Sequence, residues 1–240
     1  MVISWLDSLA LIVFLVSWVG YTSFARRKAK TTNCIARVMH QQRIHWMSQV
    51  IAKEIRVAEA ALLANLERNI AFFASTTLLI LAGVLTLFSQ VEKLETVIGS
   101  IPFTTSPNHA LVQVKLALLA GIFVLAFFQF TWSMRQYGFV NIMIGAAPLD
   151  KTGSDTNALG YARQMAVVQD QAAHSYNYGL RSYYYSMAAL CWFMHPGMFI
   201  LASLFVVYTL YQREFNSKAV VAITAAQAYL EKNPAYIGRD

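Results

Sequence analysis

Four apolar runs, residues 3–24, 70–88, 111–132 and 183–211, alternate with polar segments along the chain. A hydrocarbon core of roughly 30 Å takes about 20 apolar residues in helical conformation, so each run is a candidate crossing. The pattern predicts an all-α integral membrane protein of four transmembrane helices, organised as a single membrane domain. Trp5, Trp18 and Tyr21 stand near the ends of the first run, and Arg26, Arg27, Lys28 and Lys30 follow it. A cleavable signal peptide carries its cations before the apolar stretch and a small-residue cleavage site after it, so this run is read as an uncleaved first span.

The last run is longer than a crossing needs, which requires it to tilt, bend or project beyond the core. Arg181 and Arg213 bracket it, with Tyr183, Tyr184 and Tyr185 at one end and Tyr208 and Tyr211 at the other, where amphipathic rings favour the membrane interface. Pro196 lacks an N–H and crowds the carbonyl of Trp192, so a kink is expected there, with Gly197 removing bulk beside it. His195 is the ionisable residue nearest the middle of that run. Two readings apply: an intramembrane functional group, or a neutral imidazole bonded to the carbonyl that proline leaves unpaired.

The polar segments also carry helical periodicity. Within the first connector, 25–69, Ile44, Met47, Ile51, Ile55, Ala58, Leu62 and Leu66 recur at spacings of three and four, and neither Pro nor Gly interrupts them. This predicts one long cytoplasmic helix that extends into the second span, with Met47, Ile51, Ile55, Leu62 and Leu66 as an assembly stripe. The second span carries Ser75, Thr76 and Thr77, which either line a polar path or bond to their own helix carbonyls. Lys115, near the outer end of the third span, either snorkels to the headgroups or contributes to a charged ring in an oligomer. In the second connector, 133–182, Pro148, Asp150, Gly153, Ser154 and Asp155 mark a loop over 145–157, after which helical spacing resumes. Asp170 and His174, four apart, suit a hydrogen-bonded pair, a proton relay or part of a metal site. The tail, 212–240, contains an Ala-rich helical segment that ends near Pro234.

Composition agrees with a membrane protein: of 240 residues, 57% are hydrophobic and 13% charged. The formal charge of +7 does not point to nucleic acid, because the cations cluster beside the spans. Cys34 and Cys191 fall in segments that do not meet, and no Cys/His spacing suits zinc. Nine Lys and Arg fall in the first connector and four in the second, against five in the segments assigned outside (Lys93 and the tail). This predicts a multi-pass protein of the bacterial inner membrane with both termini external and both connectors cytoplasmic.

The runs Asn65-Leu66-Glu67-Arg68-Asn69 with Phe72, Phe73, Ala74 and Ser75, and Arg181-Ser182-Tyr183-Tyr184-Tyr185 leading through Trp192 to Tyr211, resemble a bacterial and plant membrane family, the domain-of-unknown-function family five-nine-nine. The resemblance covers about residues 26–215 and implies a four-span membrane protein without an established reaction. No nucleophile–base pair, phosphate loop or metalloprotease helix is visible, and His195 has no intramembrane histidine partner for a haem. The expectation is a non-enzymatic, cofactor-free oligomeric or accessory subunit, in contact with membrane lipids and a second copy or a membrane-complex partner. The alternative is an oligomeric channel or small-solute transporter that uses the polar positions of spans two to four.

Overall fold

The computed structural model describes residues 4–29, 31–100 and 108–232, and expectations that fall on Ile3, Lys30 and Pro234 lie outside them. The described residues form helices and connections, without a strand. In chain order the helices are α1 (Trp5–Lys28), α2 (Ile35–Ala52), α3 (Val57–Phe88), α4 (Val91–Ser100), α5 (His109–Ala146), α6 (Thr156–Cys191), α7 (Pro196–Phe215) and α8 (Lys218–Lys232). Three of them, α1, α3 and α5, are long and apolar enough to cross a membrane. The chain divides into two compact units.

The first unit holds the chain up to Arg27, then Phe73–Gln129 and Tyr178–Tyr211. Its core is built around Phe14, Leu116, Ile122, Tyr185, Trp192 and Phe199. The connector after the second span contains a short amphipathic helix rather than only a loop: α4 buries Val91 and Ile98 in this core, and Glu95 pairs with His109 at 3.0 Å. The expected single helix over 183–211 is corrected here. α6 stops at Cys191, tight turns occupy 192–195, and α7 begins at Pro196.

The two helices run in opposite directions. Along α6, Arg26 meets Tyr178 (2.7 Å), Tyr185 donates to the Ser17 carbonyl (3.0 Å), and the Trp192 indole reaches Asp7 (2.8 Å), so α1 numbers fall as α6 numbers rise. Along α7, Phe14 packs on Phe199 (4.9 Å between centroids) and Phe24 on Tyr211 (6.4 Å), so α1 and α7 numbers rise together. Pro196 is therefore the first residue of a returning helix, where its missing N–H costs nothing, and not a kink in a continuing one.

The second unit gathers Lys28–Phe72, Phe130–Asn177 and the described tail from Gln212. The tail thus packs in one unit with both connectors: α8 lies against α2, and the Gln227 amide bonds to Gln41. Here a second expectation is corrected. The helix that runs into the second span begins only at Val57, because α2 ends at Ala52 and residues 53–56 break the periodic run.

That break has neither Gly nor Pro, and Arg56 accounts for it. Its Nε donates to the carbonyls of Val50 (3.0 Å) and Lys53 (3.1 Å), and its terminal nitrogens donate to Ile144 (2.8 Å), Ala147 (2.8 Å) and Pro148 (2.9 Å). Helix C-termini leave carbonyls without intrahelical partners, and one guanidinium with five donors serves two such ends, those of α2 and α5. The Asp150 N–H adds a bond to the Ile51 carbonyl (2.9 Å). Across the break, Lys53 donates to the buried Glu59 (2.8 Å), whose carboxylate sits in the first turn of α3, where the helix dipole favours it.

The α5–α6 loop is folded around the Asp150 carboxylate, which accepts from the Thr152 hydroxyl (2.8 Å) and from the N–H groups of Thr152 (3.1 Å), Gly153 (3.0 Å) and Asp155 (3.0 Å). The Thr152 hydroxyl, then these N–H groups, hold its carboxyl below the usual carboxylate range. Gly153, with φ of 67°, supplies the left-handed residue that the turn requires.

Arg56→Met removes all five hydrogen bonds and is expected to lower stability by about 3 kcal/mol, with Arg56→Lys recovering only part because an ammonium lacks the planar fork. Hydrogen exchange checks this: protection falls around 50–57 and 147–155 in both variants and stays unchanged around 10–20.

Candidate functional site

Charged and polar side chains converge in the first unit where α6 ends and α7 begins. The Trp192 carbonyl lies just past the end of α6, where no helical N–H follows to meet it, and Lys115 of α5 takes that role: its Nζ donates to the carbonyl at 2.8 Å. The ammonium also lies 5.5 Å from the Trp192 ring centroid and 5.9 Å from that of Phe193. Lys115 is only 5% exposed and Trp192 fully buried, so the bond forms in a desolvated site, where an unpaired carbonyl is costly.

The indole N–H of Trp192 donates to Asp7 Oδ1 (2.8 Å), and the Ser4 hydroxyl donates to Asp7 Oδ2 (2.6 Å). Asp7 is 5% exposed. One tryptophan therefore joins an acid on α1 to a base on α5, through its ring on one side and its backbone on the other. On the other side of the turn, His195 Nδ1 accepts the Gly197 N–H at 3.0 Å, while the His195 carbonyl accepts the Phe199 N–H at 3.2 Å. His195 is thus the N-cap of α7, with an imidazole nitrogen in the role that Ser or Asp usually fills. A Cβ on Gly197 would stand 3.0 Å from that nitrogen, so the cap depends on glycine at the second helical position. Phe199 stacks on Trp192 at 5.0 Å and 14°, which closes the hairpin from within.

The sequence-derived positions disperse. Lys115 turns inward onto Trp192 instead of extending toward headgroups, and His195 is spent on the cap of α7 rather than on the carbonyl of Trp192. Thr77 is buried; its hydroxyl donates to the Phe73 carbonyl of its own helix (2.6 Å) and pairs with the Tyr183 hydroxyl (2.9 Å). Ser75 is exposed and Thr76 half-buried, so the three hydroxyls of α3 do not share one environment. Pro196 is buried and Gly197 half-buried at the turn.

In the second unit, the stripe divides at the 53–56 break. Met47 and Ile51 are fully buried, whereas Ile55, Leu62 and Leu66 are exposed, the first at 78%. Asp170, considered with His174, instead accepts from His40 and Arg43 of α2. Asp7 and Arg56 escaped the sequence reading. An acid in the first turn of an apolar run was a visible signal for Asp7, whereas Arg56 looked like any solvated cation on a polar helix.

The all-helical fold and its three long apolar helices define a helical membrane protein. The family model described as "Protein of unknown function, DUF599" matches residues 9–219, and the chain belongs to that family. Comparisons with curated proteins and with solved structures give no match.

Lys115→Met is expected to cost about 3 kcal/mol, because it leaves the buried Trp192 carbonyl unpaired and frees the residue whose indole holds Asp7. Adding Asp7→Asn costs less in that background than in the wild type, and thermal unfolding of the four proteins in detergent yields the coupling as a double-mutant cycle.

Proposed function

We propose that this protein is a non-enzymatic assembly subunit of the bacterial inner membrane whose two connectors lie on the cytoplasmic side. Its chain crosses five times, by α1, the second half of α3, the first half of α5, the end of α6, and α7. The N-terminus is external and the C-terminus cytoplasmic, with the connectors and the tail on one side. This departs from a four-span topology with both termini external. Two things support it: the opposed directions of α6 and α7, and the placement of the described tail in one compact unit with both connectors. The charges agree, since of the nineteen Lys and Arg all but Lys93 and Lys115 then fall on the cytoplasmic side.

The observation that carries the assembly role is the uncovered apolar strip that leads into and along α3. Ile55 and Val57 are 78% and 72% exposed, Leu62 54% and Leu66 37%, on a segment that also carries Ala58, Ala61 and Ala64. Such a strip on the polar side of a membrane protein marks a contact with protein, and the small residues between permit close helix approach. The occupant is a second copy or a membrane-complex partner. Against a pore of the polar span positions, Thr77, Lys115 and His195 are each bonded within the chain.

A C-terminal reporter that is active only in the cytoplasm is expected to be active, and one that needs export silent; the reverse removes the five-span reading. Native mass spectrometry from mild detergent is expected to find an assembly that Leu62→Arg with Leu66→Arg reduces to the single chain. Loss of the assembly without change in the thermal midpoint supports the role. A wild-type chain that is alone, or proteoliposomes that conduct ions through an intact assembly, refutes it.

A further inference from the structure

α1 and α7 run side by side in the same direction and touch at Phe14–Phe199 and at Phe24–Tyr211. They leave an apolar groove of about 440 Å³, within the roughly 300–1,000 Å³ of ligand sites. Ser17 and Gly20 form part of the α1 wall, and the rings of Tyr21 and Phe24 face those of Tyr208 and Tyr211 across it. Phe24 and Tyr208 are 47% and 59% exposed, so the groove opens outward from the helix pair.

Charge is placed at one end of the groove only. Gly20 and Phe24 are four apart, and the next positions on that side of α1 are Arg27, three on and exposed, and Lys28, four on, whose ammonium lies 4.8 Å from the Phe215 ring centroid. Arg26 is committed elsewhere: its Nε donates to the Tyr178 hydroxyl at 2.7 Å and its guanidinium lies 5.2 Å from that ring centroid. Among the described residues, Arg27 has no such engagement. An apolar trough with an exposed guanidinium about one helical turn beyond its last α1 residue, Phe24, matches an amphiphile with an apolar chain and an anionic head. It does not match a small free anion, which has nothing to gain from aromatic walls. It also does not suit a second transmembrane helix, because close helix contact needs small residues on both sides, and α7 offers Leu204, Tyr208 and Tyr211.

We infer that the α1–α7 groove is a binding site for one anionic glycerophospholipid of the inner leaflet, with an acyl chain along Gly20, Phe24 and Tyr208 and the phosphate at Arg27. The inference rests on the membrane placement proposed above and not on the assembly role. A lipid held there covers the apolar surface that the parallel pair leaves open, and its headgroup draws on the same electrostatics that attract basic juxtamembrane residues to anionic leaflets.

The test is native mass spectrometry of delipidated protein titrated with palmitoyl-oleoyl phosphatidylglycerol or with phosphatidylcholine of the same chains. The wild type is expected to retain one phosphatidylglycerol per chain at about fivefold lower lipid concentration than phosphatidylcholine, the weight of a single cation at an anionic surface. Arg27→Gln is expected to erase that preference and Arg27→Lys to keep it, a contrast that charge alone explains. Gly20→Leu fills the groove and is expected to abolish retention of both lipids. A Cβ at Gly20 meets only Val16, at an ordinary 3.9 Å, so the backbone tolerates the change. Equal retention of the two lipids by the wild type, or an undiminished preference in Arg27→Gln, overturns the inference. So does efficient disulfide dimerisation of Tyr208→Cys in membranes, which would seat a second copy in the groove. Each readout is per chain, so a failure of the assembly role leaves this result interpretable.

Discussion

The hydrogen bond from Lys115 to the Trp192 carbonyl is the contact on which the membrane unit depends. A helix that turns back within apolar surroundings leaves its last carbonyls with no water to donate to them and no following helical N–H. Lys115 closes that vacancy, and the Trp192 ring ties Asp7 into the same place. Three helices, α1, α5 and α6, are thereby registered against one another at one point, and Phe14, Tyr185 and Phe199 pack the layer beneath it. His195 completes the turn by capping the helix that follows.

Arg56 solves the corresponding problem in the second unit with the same chemistry. Two helix ends, those of α2 and α5, present orphaned carbonyls, and a single guanidinium accepts responsibility for both. In each unit, then, a long cation is spent on backbone satisfaction rather than on a ligand. The acids behave alike: Asp150 organises a loop of N–H donors, and Asp170 receives His40 and Arg43. Among the described residues, these polar groups hold helix ends, loops and neighbouring helices together.

Two exposed surfaces differ in chemistry. The strip from Ile55 to Leu66 is apolar with alanines between. The groove between α1 and α7 is lined by aromatic rings, and Arg27 follows it three residues after Phe24.

Local pattern determined much of this protein. Apolar runs of sufficient length located α1 and the membrane portions of α3 and α5, because crossing a bilayer demands continuous hydrophobicity whatever the partners. Pro148, Asp150 and Gly153 located the α5–α6 loop to within a few residues, because turn chemistry is short-range. Tertiary structure decided what periodicity leaves open. Pro196 suits a kink and a helix start equally well, and only Lys115, Asp7 and Phe14, distant in sequence, select the reversal. The surplus length of 183–211 and the cations of the tail were the available clues. The break at 53–56 carried no local signal at all, since a periodic stripe without Gly or Pro reads as one helix until Arg56 finds five carbonyls on two helix ends. A hydrogen bond between residues nearly a hundred positions apart has no trace in local spacing, and that is why the elements were legible while their turns were not.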